Sequence, residues 1–187
     1  GECGFPCVVK PVSLSGSRGV IRADNANGLS AAIVRVRRML ERENPNLDRS
    51  ILIEKFIEGH EYAVEGVLRS GKFQCLAIFD KPDPLDGPYF EETIYLTPPD
   101  IRNDLKADIV KTIATACRAI GLTHGPIHAE CRVNSKGVWV LEVAPRTIGG
   151  QCGRLLDLAL GLSLEEVIMT NALGHTARVV NDGQAAG

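Results

Sequence analysis

Neither sign of charge dominates this chain. Its 21 lysines and arginines against 23 aspartates and glutamates leave a net charge of −2 over 187 residues, so no basic field is present to hold nucleic acid or an anionic membrane. Long hydrophobic runs are missing too. No apolar stretch approaches the length of a membrane span, and the N-terminus carries no signal-peptide pattern. The expectation is a cytoplasmic protein with neither nucleic-acid nor membrane partners. CxxC pairs are also absent. The six cysteines, Cys3, Cys7, Cys75, Cys117, Cys131 and Cys152, are scattered, and a chain of this size builds a core without disulfides, so they read as small buried or incidental thiols. Internal repeats, low-complexity tracts and clear linkers are lacking as well. What remains, 44% hydrophobic and 24% charged residues, is the make-up of a globular protein. A strand that opens only a few residues in is what an excised piece of a longer polypeptide would show.

The elements expected along the chain alternate between strand and helix. A strand over Cys7 to Pro11 leads into a small-residue loop from Ser13 to Val20. Leu29, Ile33, Val36 and Leu40 make one apolar stripe of a helix from Leu29 to Glu43, which Pro45 and Asn46 close. Strands follow over Ser50 to Ile57, Glu61 to Arg69 and Lys72 to Asp80, with Ser70-Gly71 as the tight turn between the last two. The proline-rich stretch from Asp83 to Pro88 is expected as a loop, and Phe90 to Leu96 as a short strand. Asp100 to Ile120 reads as the longest helix, burying Leu105, Ile109, Ile113, Ala116 and Ile120 and stopped by Gly121. Ser163 with Glu166 is a capping box for a last helix through Leu173, ended by Gly174. The order implies an α+β fold with mostly antiparallel strands.

Two facing runs carry the strongest chemical signal. Gly125 to Val133 and Val138 to Arg146 alternate in character and are separated by a Gly-containing turn, a β-hairpin pattern. If Ser135-Lys136-Gly137 is the loop, Asn134 faces Val138 and Glu130 lies opposite Glu142. A strand period of two then gives one apolar face of Ile127, Ala129, Cys131, Val133, Trp139, Leu141 and Val143, and one polar face of His128, Glu130, Arg132 and Glu142. Opposed carboxylates repel by roughly 0.2–1 kcal/mol. A cation between them, or protonation of one, offsets this. A hard divalent ion such as Mg²⁺ suits such a pair, and Arg132 and Arg146 suit phosphate oxygens. A solvated outer sheet face gives the same alternation. A turn one residue shorter or longer would put the two glutamates on opposite faces.

Two further motifs are weaker singly. Lys10 on the first strand precedes Ser15-Gly16-Ser17-Arg18-Gly19, in which Gly16 and Gly19 let backbone amides approach an anion and Ser15 and Ser17 add donors. The lysine precedes the glycines, so this is not a GxxxxGK[ST] phosphate loop. Leu52 to Gly59 ends an apolar strand with Glu54-Lys55 and then Phe56-Ile57, and the backbone of such a strand end can read an adenine edge, although by itself the pattern reads first as a strand running into a Gly turn. Glu61 and Glu65 share one face of the next strand, and Lys81 ends the one after it.

Taken in order, VVKP, SGSRG, EKFIEGHEYAVEG, HAECR, EVAPRTIGG and GLSLEEVI resemble the nucleotide-binding part of the ATP-grasp superfamily, and most closely its carboxylate–amine ligases of the phosphoribosylglycinamide synthetase, carbamoyl-phosphate synthase large chain and L-amino-acid ligase type. The resemblance runs from about residue 5 to residue 175. It implies an ATP-grasp fragment over residues 1–187, with a small lid subdomain over about 5–57 and a larger subdomain with the metal site over 58–187, the two α+β subdomains enclosing the nucleotide site.

The residue roles it implies are several. Lys10 would contact the α/β-phosphates under a lid of Ser15, Gly16, Ser17 and Gly19. Glu54 would meet the adenine amino group, the backbone of Lys55, Phe56 and Ile57 the ring edge, and Glu61 the ribose hydroxyls. Glu130 and Glu142 would hold Mg²⁺ (or Mn²⁺), while Arg146, Arg132 and His128 would touch the γ-phosphate or the acyl phosphate. Ala144 stands where many members have a third ligand, an asparagine. The resemblance implies that the N-terminal domain usual in the family lies outside these residues, and that a carboxylate, an amine (or thiol) acceptor, that domain of the same polypeptide and possibly a second copy of the chain are the partners. A bicarbonate-phosphorylating carboxylase-type unit and a nucleotide-binding module inactive in isolation are the alternative readings.

Overall fold

A computed structural model of the chain describes residues 3–43, 46–91, 93–161 and 163–175. The chain forms two compact units, one of Gly1–Glu58 with Asp83–Thr93 and one of Gly59–Pro82 with Ile94–Gly187. The stretch 83–93, expected within the larger subdomain, thus belongs with the first unit.

In the first unit, strands β1 (Cys7–Pro11), β2 (Ile21–Ala23) and β3 (Ile51–Lys55) form an antiparallel sheet in the order β2-β1-β3. Strand β3 stops at Lys55, earlier than the sequence pattern suggests, and β2 is too short to leave a periodic signal. Helix α1 (Ala26–Arg42) begins where the Asn25 side chain accepts the Gly28 amide at 3.0 Å. That cap starts the helix one turn before its first expected residue, because an N-cap asparagine satisfies one of the orphan amides of the first turn. Val36 and Leu40 are buried as expected, joined by Ala32, against Val9 and Ile21 of the sheet, with Leu29 and Ile33 packed at the edge of the cluster. The 83–93 segment is tied down by Arg22, whose amide donates to the Pro88 carbonyl at 2.9 Å and whose guanidinium donates to the Asp86 carbonyl at 2.8 Å.

The second unit is built on one antiparallel sheet of β4 (His60–Arg69), β5 (Lys72–Lys81), β6 (Gly125–Asn134) and β7 (Gly137–Ala144), in the order β5-β4-β6-β7. Ser70 and Gly71 both take positive φ, 48° and 75°, the backbone that a tight turn between right-twisted strands requires. Helix α2 (Asn103–Ala119) covers one face of the sheet, burying Ile109, Ile113 and Cys117 against Tyr62, Val64, Leu68, Ile78, Ile127, Ala129 and Cys131. Ile120, expected on that buried face, is instead 59% exposed. It is the C-cap, and Gly121 at φ 78° turns the chain away immediately after it. Helices α3 (Cys152–Leu160) and α4 (Leu164–Ala172) supply Leu156 and Leu164 to a second cluster with Ala63 and Phe79.

Helix α4 starts as the sequence indicates, with Ser163 Oγ accepting the Glu166 amide at 3.0 Å. Helix α3 has no side-chain cap and left no signature. No strand forms over 90–96 in the described residues; Tyr89 and Leu96 make only isolated bridges, to Ile21 and Asp80. No helix among the described residues is long and apolar enough to cross a membrane.

Register in the second unit depends on two irregularities. Between β4 and β5 the pairing shifts at Glu65/Gly66, and Gly66 lies so close to β5 that a Cβ there would stand 2.5 Å from the Phe73 ring and 2.6 Å from the Gln74 carbonyl oxygen. Between β6 and β7 the turn is Ser135-Lys136, with Asn134 opposite Gly137. That is one residue shorter than expected, so Trp139 lies opposite Arg132, and Val138 and Val140 point into the core in place of Trp139. A bulge between Glu130 and Cys131 then absorbs Leu141, so that Val143 regains the core and Glu130 pairs with Glu142.

Candidate functional site

Alternation along β4 and β6 puts Glu61, Glu65, His128, Glu130 and Arg132 on the face of the second sheet opposite α2, where Glu61 pairs with Arg132 and Glu65 with His128. Lys81, at the end of β5, pairs with Glu61 from the other side. This row is buried: Glu61 is 8% exposed, Glu65 1%, Lys81 4%, His128 5% and Arg132 2%. Buried charges are tolerated only when they are paired and hydrogen-bonded, and these are. Lys81 Nζ donates to Glu61 Oε1 at 2.9 Å and to Glu130 Oε1 at 2.6 Å, while Arg132 Nε donates to Glu61 Oε2 at 2.9 Å. His128 Nδ1 meets Glu65 Oε1 at 2.5 Å, its Nε2 lies 3.7 Å from Glu130 Oε1, and Glu65 Oε2 accepts the Ile148 amide at 3.0 Å. Among the described residues no buried side-chain polar atom is left without a partner.

The electrostatics follow from this pairing. Burial alone would lower the His128 imidazole, but its contacts with Glu130 and Glu65 prevail and hold it up at about 9, so the ring is a cation at neutral pH. Burial would likewise lower Lys81 and raise Glu130; the carboxylates around the lysine raise it instead, and His128 and Lys81 hold the Glu130 carboxyl well below the usual carboxylate range. Three carboxylates are thus matched by three cations. Glu142 and Arg146 stand outside the buried row, half exposed and 3.8 Å apart, a spacing of little energetic weight at the surface. Arg146 also donates to the Thr147 carbonyl at 2.9 Å.

Glu130, Glu142, His128 and Arg132 therefore share one face, as the sequence pattern suggests. Glu61, expected at ribose hydroxyls, has its two oxygens engaged by Lys81 and Arg132. Lys81 and Glu65 are the residues that sequence reasoning left without a role. The signal for them was present in the spacing of Glu61 and Glu65 along one strand face and in a lysine ending an apolar strand. Among the described residues, no group of three or more His, Cys, Asp or Glu side chains is arranged to hold a metal. Glu130 and Glu142 supply two hard oxygen donors, the number Mg²⁺ commonly takes from protein when phosphate and water complete its shell.

Within the first unit, Lys10 forms an ion pair with Glu54. The Phe56 amide, expected to read an adenine edge, donates to the Pro6 carbonyl at 3.0 Å, and its ring lies under the Arg22 guanidinium at 4.3 Å and beside Phe90 at 6.3 Å. Lys55 is exposed and Ile57 half-buried. Ser15 precedes a turn in which Gly16, Ser17 and Gly19 all take positive φ, 64°, 53° and 78°. Arg18 anchors this turn to Glu43, at the end of α1, at 3.2 Å.

Sequence comparison agrees with this architecture. The family model for the ATP-grasp domain matches residues 3–154, and the chain belongs to that family. Dapdiamide A synthase of Enterobacter agglomerans is 28% identical over 185 residues, covering 97% of this chain and 42% of the relative. The alanine–anticapsin ligase of Bacillus amyloliquefaciens is 25% identical over 186 residues, covering 90% and 39%. The crystal structure of an L-amino acid ligase from Bacillus licheniformis superposes with a TM-score of 0.77 at 28% identity, covering all of this chain and 44% of that one. The chain spans less than half the length of each.

Proposed function

We propose that this chain is the MgATP-binding catalytic domain of an ATP-dependent ligase that joins a carboxylate to an amine or thiol through an acyl phosphate. The observation that carries the reading is Glu130 opposite Glu142 on a face shared with Lys81, His128 and Arg132. Glu130 and Glu142 would hold Mg²⁺, or Mn²⁺, which also favours oxygen donors. When bound, the ion offsets charge on the phosphate oxygens. Lys81, Arg132, His128 and Arg146 would bind and orient the γ-phosphoryl group and stabilise charge developing on it. Lys10, Glu54 and the turn of Ser15, Gly16, Ser17 and Gly19 would contact the nucleotide, with Lys55 and Ile57 at the adenine edge.

In the reaction, a carboxylate oxygen attacks the γ-phosphorus and ADP leaves. The nucleophile then attacks the acyl carbon, phosphate leaves, and the nucleophile loses its proton. The buried cations suit this sequence, because a dication at Glu130 and Glu142 offsets only part of the charge of a triphosphate, and Lys81, His128 and Arg132 are placed to meet what remains. Amino acids are the expected substrate class, since relatives carry the names L-amino acid ligase and alanine–anticapsin ligase. A further domain of the same polypeptide is expected to complete the carboxylate site, and the cytoplasm is the expected compartment.

Calorimetric titration of a non-hydrolysable ATP analogue, with Mg²⁺ and then with EDTA, tests the reading. Binding that requires the metal is the expected result. Binding equally tight in EDTA, or none, would overturn it.

A further inference from the structure

Glu65 is 1% exposed, and a carboxylate so buried needs a donor at each oxygen. Its donors come from two different elements. Oε1 takes His128 Nδ1 on β6 at 2.5 Å, and Oε2 takes the amide of Ile148, two residues beyond Arg146, at 3.0 Å. With Nδ1 engaged, the imidazole is held with Nε2 toward Glu130, 3.7 Å away. The same carboxylate therefore fixes a ring on the polar face and the backbone that follows the exposed arginine.

We propose that Glu65 is a positioning residue for the phosphoryl site, setting His128 and the Arg146–Ile148 segment relative to one another through its two oxygens. The inference rests on the ligase reading, in which His128 and Arg146 meet the transferred group. Carboxylates hydrogen-bonded behind a metal-ligating histidine fix its ring orientation, and their removal typically costs about 10–100-fold in metal affinity or activity; Glu65 stands in the same relation to His128. Glutamine cannot replace Glu65, because its amide has one acceptor oxygen and would turn an NH₂ toward the second donor.

The test combines a spectroscopic and a binding readout on the chain and its Glu65→Gln, His128→Gln and double variants. Long-range ¹H–¹⁵N spectra of the imidazoles, assigned with His128→Gln, are expected to show a His128 Nδ1 proton protected from exchange. They should also show a His128 signal that moves when the Mg²⁺ complex of a non-hydrolysable ATP analogue is added. Glu65→Gln should lose that proton and bind the analogue about 10–100-fold more weakly, and the double variant should bind no more weakly than either single one, because the two residues act as a unit. A purely structural role would lower thermal stability and leave the bound-state signal and the affinity, measured well below the melting temperature, unchanged. Unchanged affinity in Glu65→Gln or in His128→Gln overturns the proposal. If Glu65→Gln does not fold, the wild-type spectrum decides: no protected Nδ1 proton overturns it, and a protected proton on a ring that responds to the analogue supports it. Failure of the wild-type chain to bind the analogue, with the proton present, is a separate outcome that overturns the ligase reading and the role of Glu65 within it.

Discussion

Glu130 lies directly opposite Glu142 across the β6–β7 ladder although the turn joining the strands has the length that would separate them. The bulge at Leu141 is what reconciles the two. It lets Val140 and Val143 both reach the core while Glu142 returns to the polar face. Deleting Leu141 places Glu142 directly after Val140, so strict alternation then gives the same pairing without a bulge. A folded ΔLeu141 chain that still binds the ATP analogue only with Mg²⁺ is the expected result, checked by circular dichroism and calorimetry. Loss of metal dependence would show that the bulge does more than set register.

The two glutamates should separate stability from binding. Glu142 is half exposed, and the Arg146 cation 3.8 Å away is a loose surface partner. Glu142→Gln should therefore change stability by no more than about 0.5 kcal/mol while abolishing metal-dependent nucleotide binding. Glu130→Gln should lose binding and also stability, about 3–5 kcal/mol, because it takes the charge from a buried lysine. Urea denaturation beside calorimetry measures both.

Lys81 should be as stability-sensitive as Glu130. Its ammonium bridges Glu61 and Glu130 at 2.9 and 2.6 Å and lies over the Tyr95 ring at 5.3 Å. Lys81→Met keeps the volume and removes the charge, leaving two carboxylates facing each other. A loss of about 3–5 kcal/mol in urea denaturation is expected.

Trp139 should report on solvent. It is the only tryptophan in the sequence, it is 42% exposed, and its Nε1 donates to Asn134 at 3.2 Å. Native fluorescence should be red-shifted and readily quenched by acrylamide. Trp139→Phe should cost no more than about 0.5 kcal/mol. A blue, quencher-resistant spectrum would mean that the ring faces the core.

Cys75 should resist alkylation. Burial first, and then the nearby Glu65, push its thiol up to about 12, so the group stays protonated at pH 8 and turns into the reactive thiolate only as pH climbs toward that value. Mass spectrometry after brief iodoacetamide treatment should find Cys75 unmodified in the native chain at pH 8 and modified after denaturation.

The hairpin shows how much of the site was legible and where legibility stopped. The polar face of His128, Glu130 and Arg132 followed from a period of two, which is a property of the strand itself. The facing of Glu142 followed as well, but for a different reason than the sequence offered. The expected loop was one residue too long, and a bulge, which no composition marks, restored the pairing. A loop one residue longer would put Trp139 in the core, because it flips every residue between the turn and the bulge. Helix α1 was readable from Val36 and Leu40, while α3 was not, since it starts without a side-chain cap. Lys81 and Glu65 stayed without roles because their meaning lies in contacts across strands, and those depend on register. Segment 90–96 has the composition of a strand, yet among its described residues only Leu96 makes a bridge, an isolated one to Asp80.

Gly66 has no side chain and takes no part in any step, yet it limits how the polar face can vary. A methyl group there would run into Phe73 and the Gln74 carbonyl, and relief would require β5 to move away from β4 beside the register shift at Glu65/Gly66. In a saturation library selected for nucleotide binding, position 66 should behave as a bottleneck, accepting alanine only together with a change in β5 that moves both the Phe73 ring and the Gln74 carbonyl. Heritable change at this face would then have to travel through pairs of positions rather than single ones.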